Sequence, residues 1–191
     1  MYLWDEQVGR YEKKMLKGHP LAFATVCVDG ALFRIKDLLP ESVPKKSMAT
    51  VTEAVHMLWI HLTMTKGGVS PLTKRMIKSL EDLYPDEDDR SVPSGWGELV
   101  SAVTLTCEMA RGDDPVDTLL DCIGYAYQGI LQMAIKTESK RSKTTEKAIR
   151  NFEAKSPLCQ FEIKFQLAQL DATTAGKRVQ SALYPGLHYP K

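Results

Sequence analysis

The sequence predicts an all-α protein, a single-domain antiparallel helical bundle of about six to eight helices. Three observations support this prediction. Most apolar residues recur at steps of three and four, the spacing that places side chains on one face of a helix. Glycine and proline fall mainly between these periodic segments, where they interrupt helices. The chain has 191 residues, 43% hydrophobic and 26% charged, which is enough for one globular core.

The segment 113–136 is the most informative and predicts the central helix of the bundle. The aspartates at its start can cap the helix, and the proline that follows suits the first helical position. Apolar residues cover most of its circumference, which is typical of a helix surrounded by others. Gly124 and Gly129 each cost the helix about 1 kcal/mol relative to alanine, so we expect them to let a neighbouring backbone approach closely. The main apolar stripe consists of Val116, Leu119, Leu120, Ile123, Tyr127, Ile130, Leu131 and Ala134.

The N-terminal third predicts three helices and contains one ambiguous segment. Residues 3–16 form an amphipathic pattern that a Gly-His-Pro sequence ends, and Ser47 is placed to cap a helix that a Gly-Gly pair ends. Between them, Asp29 and Gly30 separate two apolar runs, a pattern typical of a β-hairpin. Helical spacing nevertheless continues through the glycine, so one helix over 21–39 is favoured over the hairpin.

The remaining helical segments cover residues 70–84, 99–112, about 148–152 and 156–176. Only two residues follow Gly112 before the proline of the central helix, so we expect these two helices to be antiparallel neighbours. Ser156 caps the last helix, with Pro157 at its first position. We assign residues 1–176 to the bundle and 177–191 to an irregular C-terminal tail, which either docks on the bundle or contacts a partner.

The cysteines and the N-terminus indicate a reduced, cytoplasmic protein. Cys27, Cys107, Cys122 and Cys159 lie far apart inside apolar patterns, which predicts buried free thiols. The first residues are charged and lack the apolar centre of a signal peptide. The longest apolar run, residues 21–28, is far shorter than the ~20 residues that span a bilayer. We therefore expect a soluble protein without membrane contact.

The sequence contains none of the common catalytic or cofactor-binding motifs. Phosphate-binding loops, the dinucleotide-binding fingerprint, the nucleophile elbow and the H-E-x-x-H zinc motif are all absent. His56 and His61 are five residues apart, so they point about 140° apart on a helix and do not have metal-ligand spacing. His19 and His188 lie far from both. We expect no catalytic residues, no metal and no cofactor, and we predict that the protein is not an enzyme.

Two charged segments are candidate contact surfaces. Asp86, Glu87, Asp88 and Asp89 form an acidic run that does not match an EF-hand, and it is either a solvated loop or a contact for a basic partner, with Trp96 as a possible aromatic anchor. The stretch 136–155 carries seven Lys or Arg against three Glu and is either a solvated face or a phosphate contact. The net charge of +1 gives no general attraction to nucleic acid.

Three parts of the chain resemble a group of small all-helical bacterial proteins, the YjaG-like proteins of unknown function and the related all-helical immunity proteins of polymorphic toxin systems. LAFATVCVDGALFRIKDLLPES with ATVTEAVHMLWIHL is similar to their first helical pair. LYPDEDDRSVPSGWGELVSAVTLTCEMARGDDPVDTLLDCIGYAYQGILQMA resembles their acidic connection and central hairpin, and SPLCQFEIKFQLAQLD resembles their closing helix. The Asp29-Gly30 pair and the basic stretch depart from the family pattern.

The resemblance implies an all-α binding module that docks on a cognate toxin protein and blocks its active site. It carries over no catalytic residue. We place Asp86, Glu87, Asp88, Asp89 and Trp96 at or near that contact. One alternative is a nucleic-acid-associated or regulatory bundle that uses Lys140, Arg141, Lys143, Lys147 and Arg150, although nucleic acid is the less favoured partner. The other is a helical small-molecule-binding protein or enzyme. The sequence indicates no particular oligomeric state.

Overall fold

The computed structural model describes residues 2–8, 12–15, 17–39, 43–64, 70–84, 93, 95–112, 115–139 and 145–190. These residues form nine helices and one two-stranded antiparallel sheet, which confirms the all-α prediction. The helices are α1 Leu3–Gln7, α2 Glu12–Met15, α3 Pro20–Ile35, α4 Lys45–Thr63, α5 Lys74–Glu81, α6 Trp96–Arg111, α7 Pro115–Glu138, α8 Glu146–Glu153 and α9 Pro157–Thr174; the strands are β1 Val179–Gln180 and β2 His188–Tyr189.

Helix α7 is the centre of the fold, as its apolar circumference predicts. It packs most extensively against α6 and α3, and α9 covers it from another side. Leu119, Ile123 and Ile130 on α7 are buried. Helix α4 packs on α3 and α6, and α5 packs on α4 and α6. The core is therefore one continuous cluster to which each of these helices contributes.

The antiparallel pairing of α6 and α7 is confirmed by the contact between Gly95 and Gly129. A Cβ atom at Gly95 would lie 2.5 Å from the carbonyl oxygen of Gly129, and one at Gly129 would lie 3.1 Å from the carbonyl oxygen of Gly95. The start of α6 thus lies against the late part of α7, and the two backbones approach as closely as the absence of side chains permits. Gly129 therefore has the role that the sequence predicts.

Helix α3 is continuous through Asp29 and Gly30, so the helical interpretation is confirmed and the hairpin is excluded. Both residues are buried, because α3 is covered by α4, α6, α7 and α9. A Cβ atom at Gly30 would lie 2.7 Å from the ring of Phe165 on α9. Glycine at this position is therefore explained by close helix packing rather than by a turn.

Several helix boundaries differ from the prediction. The predicted helix over 3–16 is two short helices, α1 and α2, which raises the count above the predicted eight. Helix α4 starts at Lys45, ahead of the predicted Ser47 cap, and Thr73 rather than Ser70 caps α5 by accepting a hydrogen bond from the Met76 amide at 3.1 Å. Ser156 caps α9 as predicted, since its side chain accepts a hydrogen bond from the Cys159 amide at 3.2 Å.

The C-terminal tail docks on the bundle through the buried carboxylate of Asp29. Ser181 Oγ donates a hydrogen bond to Oδ1 at 2.7 Å, and the Ala182 amide donates one to Oδ2 at 2.6 Å. The indole Nε1 of Trp59 donates to the same Oδ1 at 3.2 Å. Strands β1 and β2 pair within the tail, so the prediction of a wholly irregular tail is wrong.

Candidate partner-binding surface

Of the five predicted contact residues, the structure describes one, Trp96. Asp86, Glu87, Asp88 and Asp89 lie outside the described residues, so their role in partner binding stays a prediction. Trp96 is the first residue of α6 and is 4% exposed. Its indole belongs to the hydrophobic core, and in this conformation it offers little surface to a partner.

An acidic and aromatic cleft instead lies between α1 and α7. Its volume is about 500 Å³, within the range of protein clefts that bind ligands or partner side chains. We refer to it as the α1/α7 cleft. Its lining residues are Trp4, Asp5, Leu120, Asp121, Gly124, Tyr125 and Gln128.

One side of the α1/α7 cleft is the solvent-facing stripe of the central helix. Asp121, Tyr125 and Gln128 are spaced at i, i+4 and i+7, which places them on one face of α7, and all three are exposed. The aromatic ring of Tyr125 is notable because 37% of that residue is accessible in a helix that is otherwise mostly buried. In the sequence, this stripe is visible only as the part of the helix surface that the apolar residues of α7 leave uncovered.

Trp4 forms the opposite wall, and buried contacts hold its indole in place. The ring stacks on Tyr127 of α7 with centroids 5.9 Å apart, and Nε1 donates a hydrogen bond to Gln166 Oε1 at 2.7 Å. A Cβ atom at Gly124 would lie 3.5 Å from this indole. Gly124 therefore accommodates the Trp4 ring, whereas the sequence analysis predicted a neighbouring backbone at that position.

Helix α1 is held against α7 by the buried carboxylate of Glu153. Its Oε1 accepts a hydrogen bond from the Tyr127 hydroxyl at 2.7 Å, and its Oε2 accepts one from the Leu3 amide at 2.9 Å. Outside the core, Arg150 pairs with both carboxylate oxygens of Glu6. The cleft wall is thus positioned by residues from the C-terminal part of the chain.

The α1/α7 cleft has the chemistry to bind a cation. Asp5 and Asp121 supply carboxylates, and none of the seven lining residues is Lys, Arg or His. Asp5 accepts a hydrogen bond from the Tyr2 amide at 2.9 Å. The side chains of Asp121, Tyr125 and Gln128 make no hydrogen bond or ion pair with the part of the chain that the structure describes. A positively charged group would therefore meet the Asp121 carboxylate and the Tyr125 ring, which have no partner among the described residues.

A buried ion pair lies behind the cleft wall. Arg34 on α3 pairs with Glu162 on α9, and both side chains are almost entirely buried. Glu162 also accepts a hydrogen bond from Gln166 Nε2 at 3.0 Å, which connects the pair to Trp4. Burial raises the pKa of Glu162, and the Arg34 guanidinium opposes that rise. The network is enclosed in the bundle and supports the cleft wall.

The four cysteines are buried free thiols, as predicted. Burial raises the pKa of Cys122 to about 12 and that of Cys159 to about 11, and it also raises the pKa of Cys27 and Cys107. Because the thiolate is the nucleophilic form, thiols that stay protonated at neutral pH are poor nucleophiles. These residues serve packing.

A second cleft brings together two histidines that the sequence analysis considered unrelated. It has a volume of about 280 Å³ and is lined in part by His19, His61 and Tyr189. His19 Nδ1 lies 3.1 Å from the Tyr189 hydroxyl, and His61 Nδ1 lies 3.0 Å from Ser70 Oγ. Burial lowers the pKa of His61. His19 immediately precedes α3, His61 lies on α4 and Tyr189 lies in the tail, so no spacing within one segment could have indicated this group.

Of the five predicted basic contact residues, the structure describes two. Lys140, Arg141 and Lys143 lie outside the described residues, while Lys147 and Arg150 lie on α8. The Arg150 guanidinium pairs with Glu6, which reduces its availability to a phosphate. The interpretation of this stretch as a nucleic-acid contact stays a prediction.

No group of three or more His, Cys, Asp or Glu among the described residues could hold a metal ion. None of the described helices combines the length and the apolar character that crossing a bilayer requires.

Comparison of the chain with known proteins gives no match among family models, curated proteins or solved structures. The resemblance to all-helical immunity proteins therefore stays a prediction from sequence patterns. The α1/α7 cleft is the feature on which a functional proposal can be based.

Proposed function

We propose that this protein acts by binding a second protein, and that it is an immunity protein that binds a cognate bacterial toxin and occludes its active site. The observation that carries the proposal is the α1/α7 cleft, where Asp121 and Tyr125 are exposed on a rigid central helix. Exposed aromatic and charged side chains on a rigid support are typical of protein-binding surfaces. The sequence resemblance suggests the toxin as partner and the cytoplasm as location.

The mechanism would be steric occlusion. An interface of ~800 Å² on each protein is typical of stable complexes, and it is larger than the cleft alone. The exposed surface of α1 and α7 around the cleft would supply the rest, and the acidic run 86–89 is a candidate for additional contacts. Because charge complementarity mainly increases the association rate, we expect binding to be faster at low ionic strength.

Affinity purification tests the proposal directly. The tagged full-length chain is purified from its own cells, and the co-purifying proteins are identified by mass spectrometry and mapped to their genes. We expect one near-stoichiometric partner encoded beside this protein, toxic when expressed alone and harmless when the two are co-expressed. A partner whose toxicity is unchanged by co-expression, or recovery of the protein alone, would contradict the immunity function.

A second candidate function, small-molecule binding, is favoured by the cleft that contains His19 and His61. Two imidazoles and the Tyr189 side chain line one cleft, which is the kind of polar convergence found in ligand sites. A thermal-shift screen with metals and nucleotides tests it, because a ligand that binds only the folded state raises the melting temperature. A shift that disappears in His61→Gln and persists in His56→Gln would favour this function over protein binding.

A further inference from the structure

We propose that the α1/α7 cleft binds the guanidinium group of an arginine side chain presented by the partner protein. The inference rests on the proposed function, because it names the partner chemistry of the same surface. It follows from the charge, the shape and the aromatic content of the cleft, and from a similar arrangement elsewhere in the molecule.

The charge of the cleft selects a cation. Asp121 is exposed and makes no ion pair or hydrogen bond with the described residues, and Asp5 faces the same volume. An incoming cation therefore gains a carboxylate partner without displacing an internal one. A cleft lined by charges of one sign concentrates their field, which raises the local concentration of a cation.

The aromatic content of the cleft favours arginine over lysine. A guanidinium group is planar, stacks on aromatic rings and donates two parallel hydrogen bonds to one carboxylate, whereas an ammonium group is compact and strongly hydrated. Tyr125 offers an exposed ring, and the Trp4 indole, which is 8% exposed, contributes to the lining of the same cleft. Gln128 adds a carboxamide oxygen that can accept a further hydrogen bond.

The same molecule already contains an arginine bound in this manner. The guanidinium carbon of Arg34 lies 4.3 Å from the centre of the Phe165 ring and 5.4 Å from that of Phe161, and the group pairs with Glu162. An arginine between aromatic rings and a carboxylate is thus a stable arrangement in this fold. The α1/α7 cleft presents the same kinds of side chain on a surface that a second protein can reach.

The test is an NMR titration of the ¹⁵N-labelled full-length protein with three matched probes. These are the N-acetyl, N′-methylamide derivatives of arginine, lysine and citrulline, the last being a neutral analogue of arginine. We expect saturable shifts of the Gly124, Tyr125 and Gln128 amides with the arginine probe, binding of the lysine probe weaker by about threefold or more, and no saturation with citrulline. Equal shifts with citrulline, or no shifts at these amides, would overturn the inference.

Two cleft variants and one control localise the binding. Asp121→Asn and Tyr125→Ala are each expected to weaken binding of the arginine probe by about fivefold or more. The first removes a charge-assisted hydrogen bond and the second removes a ring contact. Asp37→Asn makes the same charge change at an exposed residue outside the cleft and should leave the affinity unchanged. A similar loss in Asp37→Asn would show a general charge effect and would overturn the assignment.

The same variants separate this inference from the proposed function. A toxin partner captured equally by the wild type, Asp121→Asn and Tyr125→Ala would leave the immunity function standing and refute the cleft as its arginine site. Binding of the arginine probe at the cleft, with no toxin partner recovered, would refute the immunity function and uphold the guanidinium chemistry. Loss of both the probe and the toxin in the cleft variants alone supports both proposals.

Discussion

Asp29 is the residue on which the attachment of the C-terminal tail depends. Its carboxylate is buried in the middle of α3 and accepts hydrogen bonds from Ser181, Ala182 and Trp59. A buried carboxylate is unfavourable unless such bonds compensate for its lost hydration. Burial raises the pKa of Asp29, and the three hydrogen bonds oppose the rise. The charge is therefore tolerated in the core because the tail supplies two of its donors.

The first prediction concerns removal of this carboxylate. Asp29→Ala leaves the Ser181 hydroxyl, the Ala182 amide and the Trp59 indole without their acceptor, so we expect it to destabilise the protein by about 2–3 kcal/mol. Hydrogen exchange should increase most in the tail around β1. Urea unfolding and exchange mass spectrometry measure the two effects, with Asp37→Ala as the exposed control. Unchanged exchange in the tail would show that other contacts hold it.

The second prediction concerns pH. Because the pKa of Asp29 is higher in the folded state than its unfolded value of 3.8, the folded state binds the proton more tightly. The corresponding stabilisation is fully present below the unfolded pKa and is lost as pH rises through the folded pKa. We expect the free energy of unfolding of the wild type, relative to Asp29→Asn, to fall as the pH rises from about 3 through the folded-state pKa of Asp29. Urea titrations across this range would contradict the prediction if the difference stayed constant or rose.

At the scale of the secondary-structure element, the contact between α6 and α7 depends on one glycine in a left-handed conformation. Gly95 has φ +88°, and a Cβ atom there would also collide with the Gly129 carbonyl. Gly112 has a similar φ of +98°, but no atom of the described residues that could oppose a methyl group lies within 4 Å of its Cβ position. Substitutions at the two glycines therefore separate the cost of a left-handed backbone conformation from the cost of a collision with α7.

The third prediction uses this pair. Gly112→Ala should cost about 1–2 kcal/mol, the strain of a left-handed non-glycine residue. Gly95→Ala should cost about 1–3 kcal/mol more, because the added methyl group must displace the α7 backbone. Chemical denaturation of both variants gives the difference. Equal losses would mean that α6 and α7 can separate without cost at this point.

Much of the helix pattern could be predicted from sequence because it depends on local spacing. Helix α3 was predicted through Asp29 and Gly30 since apolar residues keep helical steps across them, and the start of α9 followed from Ser156 and Pro157. The two-helix split of residues 3–16 could not be predicted from amphipathicity, because short helices such as α1 depend on tertiary contacts.

The candidate site could not be predicted from local sequence patterns, because its residues come from distant parts of the chain. Trp4 and Asp121 line one cleft although 117 positions separate them, and His19 and His61 meet only when α3 and α4 pack. The position of Trp96 close to the acidic run suggests an aromatic anchor, yet it is buried as the first residue of α6. Burial at a helix end is decided by the packing of neighbouring helices.

At the scale of the whole molecule, the α1/α7 cleft exists because α1 meets α8 and α9 beside the central helix. Helix α1 has only five residues, too few to be stable alone, and its position depends on contacts with α7, α8 and α9. Glu153 is central to these contacts, since it bonds both the Leu3 amide and the Tyr127 hydroxyl. The geometry of the cleft is therefore coupled to a buried residue that does not line it.

The fourth prediction tests this coupling with Glu153→Gln. The substituted side chain keeps one oxygen for the Leu3 amide, but its NH₂ group then faces the Tyr127 hydroxyl, which must change from donor to acceptor. The negative charge that strengthens both bonds is also removed, so α1 is held less firmly. We expect faster hydrogen exchange in α1 and weaker binding of the arginine probe by about threefold or more, while exchange in α6 and α7 changes little. Arg150→Ala removes only the exposed pair with Glu6 and should have a smaller effect. Weaker probe binding with unchanged exchange in α1 would show that Glu153 acts on the cleft by another route than the position of this helix.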